Sequence, residues 1–159
     1  MTENASTGRV EARLAELGIT LPPVAAPLAA YVPALTHGEL LYTSGQLPTV
    51  DGKLQGTGKV GAEVSPEDAA ELARLAAINA LAAAKSVLGD LGRVTRVVKV
   101  VGFVSSAPDF TGQPAVVNGA STLLGEVFGE AGTHARSAVG VAVLPLDAPV
   151  EVELVLAYV

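Results

Sequence analysis

Ser65-Pro66-Glu67-Asp68 opens the stretch that most constrains the fold. Serine at the cap, proline at the first helical position and an acid three residues after the cap define a helix start. The helix then runs through AAELARLAAINALAAAKSVL and stops at Gly89. After Arg74 its only charge is Lys85, and the rest is mostly Ala and Leu. Such a helix has no face suited to water, so other elements must cover most of its circumference.

The cover has to come from strands and a second helix. Val94–Ser106 (VTRVVKVVGFVSS) is too rich in β-branched residues for a helix and predicts a long strand. Simple alternation puts Val97, Lys99, Val101 and Phe103 on one face and Arg96, Val98, Val100 and Val104 on the other. Ala107–Pro114 is a loop, and Ala115–Val127 is a second helix bounded by Pro114 and Gly129. Upstream, 1–6 read as a frayed end, and Thr7–Leu17 has the helical spacing Val10, Leu14, Leu17 before Gly18. Leu21–Pro27 is a proline-rich connector. Ala29–Leu35 and Leu40–Gln46 predict a hairpin around Thr36-His37-Gly38-Glu39, and Val50-Asp51-Gly52-Lys53 predicts a turn. Ser137–Val143 and Val150–Val159 are two further strands, joined by Leu144–Pro149. This order implies a mixed sheet with the two main helices on one face, an α+β arrangement of the broad α/β class. Residues 1–20 form an N-terminal extension with a short helix, and 21–159 form one domain.

Half of the 159 residues are apolar and few are aromatic, so close packing of small side chains is expected. The positive hydropathy of so small a chain points to apolar surface buried between subunits. The net charge of −6 with no basic cluster argues against a dedicated nucleic-acid binder. The absence of cysteine removes disulfides, thiolate catalysis and Cys-ligated metals. The polar start MTENASTGRVEARLAELGI has no apolar signal region. No run of about 18 apolar residues offers a membrane span. A cytoplasmic protein is expected.

Few residues suggest chemistry by themselves. Gly56-Thr57-Gly58-Lys59-Val60-Gly61 matches GxGxxG formally, but the following helix is capped at Ser65, not at the glycines, so it reads as a flexible loop. His37 and His134 lie in unrelated segments and have no acid at ligand spacing, which leaves a metal site little to build on. His37 reads as a solvated turn residue; His134, two residues before Arg136, reads as structural or as lining the same mouth. Ser44 lacks a GxSxG elbow, so ligand hydrogen bonding and a plain turn serine are its two readings. Arg136 and Glu151 are the remaining pair. In a plain hairpin with Val143 opposite Val150 they share a face but lie six residues apart, roughly 20 Å. One shared site then requires strands that are not neighbours, or two subunits. A surface ion pair or sheet-edge charge is the other reading.

Two segments resemble a known family. ARSAVGVAVLPLDAPVEVELVLA is similar to the C-terminal signature of the YjgF/RidA family, also called L-PSP endoribonucleases, and LLYTSGQLP resembles that family's strand ending in TSGQ, Ile or Leu, and Pro. Tyr31, thirteen residues before Ser44, falls at the family's pocket tyrosine. The resemblance implies a chorismate-mutase-like fold and a homotrimer with clefts between subunits. It implies hydrolysis of reactive 2-enamine and 2-imine acids to 2-oxo acids and ammonia, with no cofactor and no metal. Arg136 would grip the substrate carboxylate, and Glu151 would orient or activate water. Ser44, Gly45, Tyr31 and Asn118 would hold or wall the ligand, with Ala138 where the family often has cysteine. A non-catalytic trimer binding small carboxylates is the alternative, and RNA cleavage a third. The chain departs from the pattern at Ala29-Ala30 in place of Gly-Pro, at Ala138, in its N-terminal helix and in a longer loop at Gly56–Val64.

Overall fold

The computed structural model describes residues 8–24 and 30–159. The expected frayed end at 1–6, Thr7 as a helix start, 25–27 of the connector and Ala29 as a strand start lie outside the described residues. Helix α1 is Arg9–Glu16, α2 is Pro66–Leu88 and α3 is Gln113–Phe128. The strands are β1 Ala34–His37, β2 Leu40–Thr43, β3 Thr49–Val50, β4 Lys53–Leu54, β5 Val94–Ser105, β6 Ala135–Val141 and β7 Val150–Tyr158.

The expected helix start at Ser65 is present, with the Ser65 hydroxyl accepting from the Asp68 N–H at 3.1 Å. Every residue of α2 from Asn79 to Ala84 is buried, as its composition required. Small residues let the two long helices approach closely. A methyl group on Gly119 of α3 would run into the Ala70 carbonyl of α2. In α3, Pro114 lies inside the first turn, where its missing N–H is no loss, so the helix begins slightly earlier than expected. Val10 and Leu14 fasten α1 to the same core.

β1, β2, β7, β5 and β6 form one mixed sheet in that order, and β3 and β4 make a separate small hairpin. That hairpin turns at Asp51 and Gly52, both with positive φ. β5 and β6 are parallel neighbours, which requires a crossover, and α3 supplies it. β6 and β7 are therefore not a hairpin: β5 lies between them. Alternation also fails in β5. A register shift between Val97 and Lys99 leaves Val98 as an extra residue, so Val97 and Val100 both face the core.

The first strand starts at Ala34, later than expected, and Tyr31 is in a bend before it. Pro33 has no N–H to give a ladder. Its carbonyl accepts from the Ser44 N–H at 2.8 Å instead. Thr36 and His37 belong to β1, and the turn is confined to Gly38 and Glu39. The Gly56–Gly61 stretch is tied down rather than loose: the Gly58 N–H reaches the Asp147 carbonyl, and the Val60 N–H reaches that of Ser105.

The helices α2 and α3 cover one face of the sheet. Val150, Val152, Leu154 and Leu156 point into that layer and are at most 1% exposed. The other face carries Glu151, Glu153 and Val155 from β7, with Leu35, Tyr42 and Val139 exposed on neighbouring strands.

Candidate functional site

The candidate residues assemble as two clusters. The first is built on β6 and α3. Arg136 is level with Val100, a core residue, so its side chain leaves the sheet on the helix-covered face. There its Nη1 donates to Asn118 Oδ1 at 2.7 Å and to Ser121 Oγ at 3.2 Å. Asn118 and Ser121 are three residues apart on α3 and therefore share a helix face. Both hydrogens of Nη1 are thus taken. Among the described residues Nε and Nη2 have no protein partner, so that edge of the guanidinium is left for a planar anion. Ala138 follows on the same face, level with Gly102, and packs against the core.

The second cluster is built on β7 and the end of β2. Gln46 and Val152 exchange backbone hydrogen bonds at 2.8 and 3.0 Å, which brings the preceding glycine alongside Glu151. A Cβ on Gly45 would lie 2.5 Å from Glu151 Oε1, so only glycine leaves the carboxylate where it is. The Ser44 hydroxyl donates to the Val32 carbonyl at 2.6 Å. This spends its hydrogen on fixing the segment that carries Tyr31, which is 67% exposed. Burial holds the Glu151 carboxyl above its ordinary range, and the nearby Glu153 charge adds to this.

Arg136 and Glu151 do not meet within one chain. They are two strands apart and offset by three residues, about 14 Å between backbones. They also leave the sheet on opposite faces, where the plain-hairpin register would have put them on one. Phe103 is paired with Glu151 and half-buried beside it. Ser121 was not among the candidates, although its i,i+3 spacing from Asn118 is a signal that a helix assignment makes readable. Among the described residues no three His, Asp or Glu side chains cluster as a metal set, and no helix is long and apolar enough to cross a membrane.

Fold and sequence together define a class. Residues 11–158 match the family model described as "YjgF/chorismate_mutase-like, putative endoribonuclease". The chain is 47% identical to protein TCP17 of Trypanosoma cruzi over 149 residues, which is 93% of each chain. It superposes with a TM-score of 0.90, at 47% identity, on a protein of unknown function from Agrobacterium tumefaciens, covering 97% of this chain and 95% of that one. Against the YjgF gene product of E. coli the TM-score is 0.58 at 28% identity, covering 86% and 93%. The chain belongs to the YjgF family, and its mixed sheet with helices on one face is that family's chorismate-mutase-like fold.

Proposed function

We propose that the protein hydrolyses reactive 2-enamine and 2-imine acids to 2-oxo acids and ammonia, at sites completed between copies of a homotrimer. The observation that carries this is the division of the site. An anion-gripping arginine and a carboxylate with a raised pKa occupy opposite faces of one sheet. Because β6 is an edge strand, a copy that lays its open face against that edge brings its Glu151 cluster to the first copy's arginine cluster. The exposed Leu35, Tyr42 and Val139 suit such packing.

In the assembled site the Nε–Nη2 edge of Arg136 takes the substrate carboxylate in a bidentate pair. Water adds to the carbon of the protonated imine while Glu151 accepts a proton from it, giving a neutral carbinolamine. Glu151 returns that proton to nitrogen, the carbinol hydroxyl gives its own proton to Glu151 as the C–N bond breaks, and ammonia leaves with the carbonyl formed. A raised carboxylate pKa suits a base working near neutral pH. The pocket's walls come from Tyr31, Asn118 and Ala138, and Gly45 allows close approach to Glu151.

Ammonia release from an imine generated in situ from an amino acid tests the reading. The wild type should accelerate it, Arg136→Ala should abolish the acceleration, and sedimentation should give three chains per particle. If several such imines show no acceleration, the chain is not this hydrolase. If Glu151→Gln then leaves carboxylate binding unchanged, the non-catalytic carboxylate-binding alternative holds.

A further inference from the structure

Arg136 is backed by a chain of hydrogen bonds that reaches beyond Asn118. Ser121 Oγ, which accepts from Arg136 Nη1, lies 2.9 Å from His134 Nε2. His134 Nδ1 lies 2.6 Å from the Gly132 carbonyl. Both ends of this chain have fixed roles. A carbonyl only accepts, so Nδ1 carries the ring proton. A guanidinium only donates, so Ser121 Oγ spends a lone pair on Arg136 and has its own hydrogen to place. His134 Nε2, unprotonated in the Nδ1–H tautomer, is the acceptor in reach. A charged ring would donate from both nitrogens and leave the serine hydrogen without this partner. The carbonyl anchor is itself held in place, because Gly132 is buried so close to the Leu124 carbonyl that a methyl group there would collide with it.

We propose that Ser121 and a neutral His134 are positioning residues for Arg136. They occupy the second hydrogen of Nη1 and orient the guanidinium so that its Nε–Nη2 edge meets the ligand. This rests on the reading of Arg136 as a carboxylate grip. Asn118 alone would leave the guanidinium free to rotate about one hydrogen bond. Two acceptors on one helix face fix its plane.

The ring state is read without any ligand. Long-range nitrogen–proton NMR of the full chain should show His134 as the Nδ1–H tautomer at pH 7.5, assigned against a His37→Gln variant. An Nε2–H tautomer or an imidazolium there overturns the proposal. Calorimetric binding of 2-oxobutyrate gives the functional readout. Ser121→Ala and His134→Ala should each weaken binding by about tenfold, and the double variant should bind no more weakly than Ser121→Ala alone. His134→Gln, which keeps an acceptor near the Nε2 position, should recover most of the affinity. If Ser121→Ala binds like the wild type while Arg136→Ala abolishes binding, the positioning role fails and the carboxylate grip stands. If Arg136→Ala binds like the wild type, the grip reading fails, and the functional role of Ser121 and His134 fails with it.

Discussion

Gly45→Ala isolates the geometry of Glu151 from the stability of the fold. Gly45 is not among the described residues with positive φ, so alanine fits its backbone. The new Cβ would lie 2.5 Å from Oε1, 2.8 Å from Cδ and 3.1 Å from Cγ of Glu151. Ordinary contact begins near 3.4 Å, so the carboxylate must withdraw by about 0.9 Å. A displacement near 1 Å at a reacting group lowers turnover about 100-fold, or about 2.7 kcal/mol of barrier. Folding should barely respond. Glycine to alanine at a compatible backbone contributes about 0.4–1 kcal/mol through the unfolded chain. A glutamate turned from its preferred rotamer costs about 0.5–1.5 kcal/mol. The expected outcome is a kcat reduced about 100-fold with a Tm close to wild type, measured by ammonia release and thermal unfolding. Gly45→Ala combined with Glu151→Gln should be no slower than Glu151→Gln alone. Wild-type turnover in Gly45→Ala would refute the claim that the position of Glu151 governs the reaction.

Three further outcomes are expected. Gly119→Ala pushes a methyl into the Ala70 carbonyl, which cannot turn aside, so it should destabilise by about 1–3 kcal/mol and lower Tm by roughly 3–10 °C. Ser65→Ala removes the cap of α2 and should cost about 1 kcal/mol in denaturant unfolding, with Ser65→Asp restoring it. Glu151 is held above its ordinary pKa by burial and then by Glu153, so the folded state binds its proton more tightly than the unfolded state does. Stability then falls as pH rises from the ordinary carboxylate range through the raised folded value. Glu151→Gln should therefore have a higher Tm than wild type at pH 8, with the gap closing as pH falls to about 4.

Much of the molecule was readable residue by residue. The cap at Ser65 and the stop at Gly89 bound α2 because capping chemistry is local, and Ala-rich composition foretold its burial for the same reason. The errors fell where pairing intervenes. Alternation misplaced Val97 because the shift between Val97 and Lys99 depends on the facing strand. The strand expected at Tyr31 starts only after Pro33, whose missing N–H is a local signal outweighed in sequence by the apolar run. His134 reads in sequence as structural or as lining the mouth beside Arg136, and only the fold brings Ser121, thirteen residues away, within 2.9 Å of it.

The chain by itself determined its elements, their order, the family signature around Arg136 and Glu151, and the demand for a covered central helix. These follow from propensities, caps and spacing, which act over a few residues. Only the tertiary structure decided that β5 runs between β6 and β7, and hence that Arg136 and Glu151 leave opposite faces of the sheet. Strand order is set by which apolar faces can be buried together across the whole chain. No short stretch of sequence carries that information.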